Sequence, residues 1–230
     1  MKHSIIIPTL NEEIKISHLL DVIIGNTYRT TEIIVVDGGS TDQTIAFVKA
    51  YPHVRLIEMN QACRALQLNE GAEQATGDVF YFVHADVIPP LSFEQDIDDA
   101  IEAGNDFGCY RFEFDEKALM LQFNAWWTRF NFMFCRGGDQ TLFVTTETFQ
   151  QLNGFNESYI IMEDFDFIRR ARKQFKFRIL PKNVAVSARK YKNNSYFKVN
   201  MVNLWSYWAF MFGASPEKIR ANYKKWLVFE

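Results

Sequence analysis

The chain of 230 residues lacks the marks of several common protein classes. Cysteine is scarce: Cys63, Cys109 and Cys135 are odd in number and form no C-x-x-C pair. That argues against a disulfide framework or a zinc site and makes a reducing compartment the default. There is no G-x-G-x-x-G, which disfavours a nicotinamide or flavin dinucleotide, and no G-x-x-x-x-G-K-[ST], which excludes a P-loop. The greasiest stretch, Val202 to Phe212, is interrupted by Asn203 and Ser206 and falls short of the roughly 20 residues that span a bilayer. Met1 to Pro8 runs into an expected strand with no signal-peptide pattern, so the expected setting is cytoplasmic. An excess of positive charge is also missing: the net charge of −3 argues against a nucleic-acid partner.

What is present fits one folded unit, with 48% hydrophobic and 23% charged residues. Aromatics are abundant, 22 Phe and 5 Trp, and many fall between Phe107 and Phe134 and between Tyr191 and Trp226. They read either as a core built from rings or as a greasy surface for lipid. Charge is unevenly spread: residues 1–181 carry a net −10 and residues 182–230 a net +7. A basic, aromatic tail suits an anionic bilayer surface or a phosphate-bearing ligand; the alternative is a solvated face.

Short apolar runs alternate with amphipathic ones through the first half. Strands are expected at Ser4–Pro8, Glu32–Val36, Val54–Glu58 and Val79–His84. Helices are expected between them: one capped by Asn11 and spaced by Ile16, Leu19, Leu20 and Ile23, one ending near Ala50, and one over Cys63–Ala75. This alternation predicts an α/β fold with a parallel sheet covered on both faces. The second half reads as mixed. An exposed-edge strand is expected at Phe107–Phe114, a long apolar helix at Ala118–Phe134, a strand at Thr141–Val144 and a helix at Asp164–Lys173. Two short strands follow at Phe177–Leu180 and Val184–Ser187, then helices at Tyr196–Phe212 and Pro216–Trp226.

Ligands of such sheets bind beyond the carboxyl ends of the strands, so the polar residues there are the candidates. Asp37 ends a hydrophobic strand before Gly38 and Gly39, where a carboxylate can bind a base or ribose or simply hold a turn. His84 and Asp86, two residues apart, point the same way if extended and can serve a divalent cation on a diphosphate. Glu163 and Asp164 can cap a helix, or offer a general base, since neighbouring carboxylates raise one another's pKa.

Taken in order, these residues resemble the family 2 inverting glycosyltransferases. Pro8-x-x-Asn11-Glu12 is similar to that family's opening motif, and Ile33 to Thr44 to its V-D-[DG]-[GS]-S-x-D-x-T segment. Asn69-x-Gly71 with Ala75-Thr76-Gly77-Asp78 follows, and Phe82-Val83-His84-Ala85-Asp86 stands where the family carries L-x-D-x-D. Gly154-Phe155 with Glu163-Asp164 resembles its later G-F…E-D block, and Ser187-Ala188-Arg189 that of small bacterial members with a His-Ala-Asp variant.

The resemblance implies a GT-A fold, a Rossmann-like and mostly parallel sheet flanked by helices, over residues 1–190. Residues 1–90 would bind the nucleotide-sugar and 91–190 the acceptor, with a helical, basic, aromatic extension at 191–230. It implies transfer of a sugar, with inversion, from a nucleoside-diphosphate-sugar (a UDP-sugar) to a hydroxyl. Pro8, Thr9, Glu12, Asp37, Gly39, Arg64, His84 and Ala85 would bind the donor. Asp86 would hold Mg²⁺ or Mn²⁺, Asp164 would be the base, and Glu163 would stand beside it. Arg136, Asp139, Gln140 and Arg189 would border the acceptor or the diphosphate, with Lys190 a further candidate cation. His84 replaces the family's first acidic position and leaves Asp86 as sole protein carboxylate on the metal. A lipid-linked acceptor and peripheral contact with the inner face of a membrane are the expected partners. The rival readings are a sugar nucleotidyltransferase and a non-catalytic nucleotide-sugar or lipid-binding module.

Overall fold

The computed structural model describes residues 1–28 and 30–228. The first half alternates strictly: β1 (His3–Thr9), α1 (Ile16–Ile24), β2 (Glu32–Asp37), α2 (Thr44–Lys49), β3 (Val54–Glu58), α3 (Arg64–Glu73) and β4 (Val79–Phe82). The second half adds β5 (Val87–Ile88), α4 (Phe93–Glu102), β6 (Phe107–Phe114), α5 (Leu119–Trp127), β7 (Leu142–Thr145), α6 (Thr146–Gln151), α7 (Glu163–Ala171) and β8 (Phe177–Val186). The chain then continues through α8 (Arg189–Lys192), α9 (Tyr196–Met211) and α10 (Pro216–Trp226).

The strands form one sheet in the order β3-β2-β1-β4-β7-β6-β8-β5. Pairing is parallel from β3 to β4 and again between β6 and β8; β4–β7, β6–β7 and β5–β8 are antiparallel. Period-two alternation divides the apolar residues between two cores. Ile5, Ile7, Val35 and Tyr81 face α1 and α4, while Ile6, Ile34, Val36 and Phe80 face α3 and α7. Because both faces are covered, the inner strands are apolar throughout, and each such side chain contributes about 1.5–3 kcal/mol on burial. The rings divide between the interior and the surface. Phe80, Phe82, Phe149 and Phe155 pack edge to face in the second core, with Phe167 tilted against Phe155, while rings of α5 and α9 reach the surface.

Several expectations are corrected. Asn11 does not cap α1: it adopts a left-handed φ of 54°, and its Oδ1 accepts a hydrogen bond from Thr41 N at 2.9 Å. Helix α1 begins behind Lys15 without a side-chain cap. β6 is not an edge strand; it lies between β7 and β8, and Phe107 to Tyr110 are buried because both faces are covered there. The two strands expected after residue 176 are one, β8, and its register slips between Leu180 and Asn183, where Pro181 offers no N–H. The helix expected to reach Phe134 stops at Trp127. Arg136 ends it by donating to the carbonyls of Thr128 and Phe130, both at 2.7 Å.

Candidate active site

The carboxyl ends of β1, β2 and β4 meet the first turns of α3 and α7. Two buried polar side chains fix the first two ends. Gln67, on the inward face of α3, donates from Nε2 to the carbonyls of Thr9 (2.9 Å) and Val36 (2.8 Å). Asp37 is fully buried and accepts hydrogen bonds from Thr9 Oγ1 (3.1 Å), Gly39 N (2.9 Å), Ser40 N (2.7 Å) and the Ser40 hydroxyl. Its carboxylate therefore shapes the 37–40 loop, and Gly39, at φ +93°, supplies the left-handed turn. Pro8 pairs with Val36 and is half-buried.

Strand β4 ends at Phe82, earlier than expected. Residues 84–87 form a turn closed by Val87 N donating to His84 O at 3.1 Å, and Ala85 is buried within it. His84 and Asp86 are therefore placed by a turn, not by strand alternation. Arg189, from α8, reaches both ends of the arrangement. Its guanidinium donates to Glu12 at 2.9 and 2.6 Å and lies 3.1 Å from Asp86 Oδ2. Glu12, expected to line a nucleoside pocket, is thus engaged by the cation that was expected near a diphosphate. Lys190 instead lies over the ring of Tyr223, 4.9 Å from its centroid.

Glu163 and Asp164 occupy the first turn of α7, behind Met162, whose φ is +71°. Neither is the cap residue. A left-handed methionine costs on the order of 1–3 kcal/mol and survives only where packing imposes it; Met162 is clamped by Phe210 and Ile219. Glu163 is buried and accepts a hydrogen bond from Arg64 Nη1 at 3.1 Å. Asp164 is 8% exposed. A Cβ built on Gly138 would lie 2.5 Å from Asp164 Oδ2 and 2.7 Å from His84 Nε2, so the two side chains flank one glycine.

The electrostatics follow from that crowding. Burial first, and then the charge of Glu163, hold the Asp164 carboxyl well above the usual carboxylate range, against the pull of Arg64. Burial, rather than the neighbouring acid expected from the sequence, is the larger cause. Asp86 is also raised by burial, and there Arg189 opposes the shift. His84 is held well below the ordinary imidazole value by burial and by Arg64 and Arg189, so it is neutral at physiological pH. Arg64, whose side chain is half exposed, is held in its charged form by the neighbouring carboxylates of Glu163, Asp164 and Asp139.

Asp139 is exposed and acts electrostatically on Arg64, Asp86 and Asp164, which places it at the mouth. Arg136 does not join it. Its guanidinium is buried on Cys109 Sγ (3.2 Å) and the Thr128 and Phe130 carbonyls, because those groups would otherwise be unpaired in the interior. Gln140 is also buried and donates to Tyr110 O at 3.0 Å. Sequence reasoning did not single out Gln67, whose one signal is a polar residue among the buried Ala65, Leu68 and Ala72 of α3. It also missed the work of Asn69, which pairs with both backbone groups of Phe155 at 2.9 Å and ties the two halves together.

Among the described residues no three His, Cys, Asp or Glu side chains gather to hold a metal ion. The donor set at the cluster is one carboxylate, Asp86, beside one neutral imidazole, His84. That set fits a divalent ion brought in by phosphates, since Mg²⁺ commonly takes only one or two protein carboxylates.

A mixed sheet with charged side chains gathered where its parallel strands end is the GT-A architecture of sugar-transferring enzymes. The chain belongs to glycosyl transferase family 2, whose model matches residues 4–155. It is 35% identical over 123 residues to the uncharacterized glycosyltransferase YibD of Escherichia coli, a stretch that is 48% of this chain and 35% of that protein. It is 36% identical over 93 residues to the Staphylococcus aureus poly(ribitol-phosphate) beta-N-acetylglucosaminyltransferase TarS, or 37% of this chain and 16% of TarS. The chain thus spans well under half of each of these relatives. In three dimensions it aligns with S. aureus TarS in complex with UDP-GlcNAc at a TM-score of 0.69 and 20% identity, covering 82% of this chain and 59% of that one. The mannosyltransferase PcManGT of Pyrobaculum calidifontis, in complex with GDP-Man and Mn²⁺, aligns at 0.67 and 18% identity, covering 89% and 61%.

Proposed function

We propose that this protein transfers a sugar from a nucleoside-diphosphate-sugar, a UDP-sugar, to an acceptor hydroxyl with inversion. The observation that carries the reading is Asp164: a buried carboxyl of raised proton affinity, flanked by neutral His84, at the mouth where Arg64, Asp86 and Arg189 also meet. A raised affinity suits a general base, which must take a proton readily.

In the proposed reaction the acceptor hydroxyl gives its proton to Asp164 as its oxygen bonds to the anomeric carbon. The bond from that carbon to the diphosphate oxygen breaks on the opposite face, and the electron pair leaves with the nucleoside diphosphate. Arg189 and Arg64 supply positive charge where that negative charge accumulates. Mg²⁺ or Mn²⁺ on Asp86, with His84 beside it, would neutralise the diphosphate. Asp37, Gly39, Thr9 and Pro8 shape the nucleoside end, with residues 1–90 as the donor half and 91–190 as the acceptor half. The acceptor is a lipid-linked hydroxyl met at the inner face of a membrane.

Thermal unfolding with a panel of nucleotide-sugars, with and without Mn²⁺, tests the donor, because a ligand that binds only the native state raises its stability. A shift with UDP-sugars that needs Mn²⁺ is expected. Analysis of products then separates the alternatives: a transferase releases nucleoside diphosphate, a nucleotidyltransferase releases pyrophosphate, and a binding module releases neither.

A further inference from the structure

Helix α9 is apolar on two sides. Val199, Val202 and Phe210 are buried against the protein. The outer side carries Phe197, Met201, Leu204, Trp208 and Met211, spaced three or four apart; Phe197 is 69% exposed and Trp208 50%. Helix α5 repeats the arrangement with Leu119, Phe123 and Trp126, the first two 82% and 58% exposed. Residues three and four apart share a helix face, so each helix presents one stripe.

The two stripes belong to one surface. Asn124 of α5 bonds Asn200 (2.9 Å) and Tyr196 (2.6 Å) of α9. Ring contacts then run without a break from Phe123 to Trp127 (6.0 Å), Phe134 (6.5 Å), Tyr207 (6.4 Å) and Trp208 (5.4 Å). Cations border it. Arg129 lies over the Trp126 ring at 5.2 Å, Lys117 precedes α5 and Lys198 adjoins Phe197, all three exposed. Asp115 and Glu116, just before Lys117, are exposed acids at the same border. Among the described residues no helix is long and apolar enough to cross a membrane.

We propose that the outer faces of α5 and α9 dock this protein on an anionic lipid bilayer, lying in the interface without crossing it. Aromatic rings favour the headgroup level, and lysine and arginine beside them reach anionic headgroups. A second copy of the chain would meet this surface with the same cations, so charge complementarity favours lipid. On its inner side α9 holds the segment that bears Asp164: Phe210 packs on Met162, and Tyr207 lies 5.9 Å from the Phe165 ring. The docked face and Asp164 are therefore one mechanical unit. On the transfer reading given above, this lets a lipid-linked acceptor reach Asp164 without leaving the bilayer.

The test is co-sedimentation of the full chain with phosphatidylcholine vesicles, with and without phosphatidylglycerol, at low and high salt. Binding to anionic vesicles, weakened by salt, is expected. The paired change Phe123→Ser with Phe197→Ser should cut partitioning about tenfold or more. Its unfolding temperature should be unchanged, since both rings are exposed. Absence of vesicle binding, or equal binding by the variant, overturns the proposal. So does a concentration-dependent dimer in sedimentation equilibrium that the variant abolishes, without vesicle binding. Stabilisation by nucleotide-sugars is measured without lipid, so failure of docking and failure of the transfer reading are told apart.

Discussion

Gly138 and Asp164 approach so closely that a Cβ on the glycine would lie 2.5 Å from Asp164 Oδ2; it would also lie 2.3 Å from His84 Cε1. Gly138→Ala must therefore displace one or both side chains. It should cost about 1–3 kcal/mol of stability, the usual penalty of overpacking. It should also lower transfer about a hundredfold, because displacements near 1 Å have that effect on positioned groups. Urea unfolding and kcat measure the two. An unchanged rate would show that His84 and Asp164 do not act together.

Asp164→Asn should lower transfer by about 100-fold or more while donor affinity is kept. A base works unprotonated, so the wild-type rate should fall with decreasing pH. Because the Asp164 pKa is raised, that acid limb should lie well above the roughly 3.9 of an ordinary aspartate. Stability carries the opposite sign. The native state binds this proton more tightly than the unfolded chain, so the group's contribution is full below about pH 3.9 and is lost as pH rises through the native value. Asp164→Asn removes that loss, and its unfolding temperature should exceed the wild type's at alkaline pH but not at about pH 4.

Arg189 occupies the ground between Glu12 and Asp86 that a divalent ion on the diphosphate would share. Arg189→Met should free Asp86 and tighten binding of Mn²⁺ alone. It should also weaken nucleoside-diphosphate binding about tenfold, the effect of losing a charge-assisted contact of about 1.4 kcal/mol. Titration calorimetry with Mn²⁺ and with UDP reads both. If both affinities move in one direction, the assigned place of Arg189 is wrong.

Gln67→Leu removes the carboxamide that bridges the ends of β1 and β2 and leaves the Thr9 and Val36 carbonyls without it. A loss of about 1–3 kcal/mol is expected from the urea midpoint. Donor affinity should fall with it, since Asp37 shapes its loop from those strand ends. A stability loss without an affinity change would confine Gln67 to the fold.

The alternation of short apolar strands and amphipathic helices was readable through Phe82, because parallel strands covered on both faces must be apolar on both. The second half was less legible. Phe107 to Phe114 alternates only at its far end, and its place between β7 and β8 depends on pairings remote in the chain. The length of α5 was decided by Arg136, nine residues beyond its last turn and bonded back to Thr128 and Phe130.

The sequence over residues 4–155 determined by itself which family this chain belongs to, because the alternation of apolar strands with amphipathic helices is a local pattern. Tertiary structure alone decided the company of the site residues: that Arg189 reaches back to Glu12 and Asp86, that Arg136 turns inward, and that Asp164 is raised more by burial than by its neighbour. The reason is one of range. Periodicity and turn chemistry act over a few residues, while desolvation and charge pairing depend on what the folded chain brings within a few ångströms.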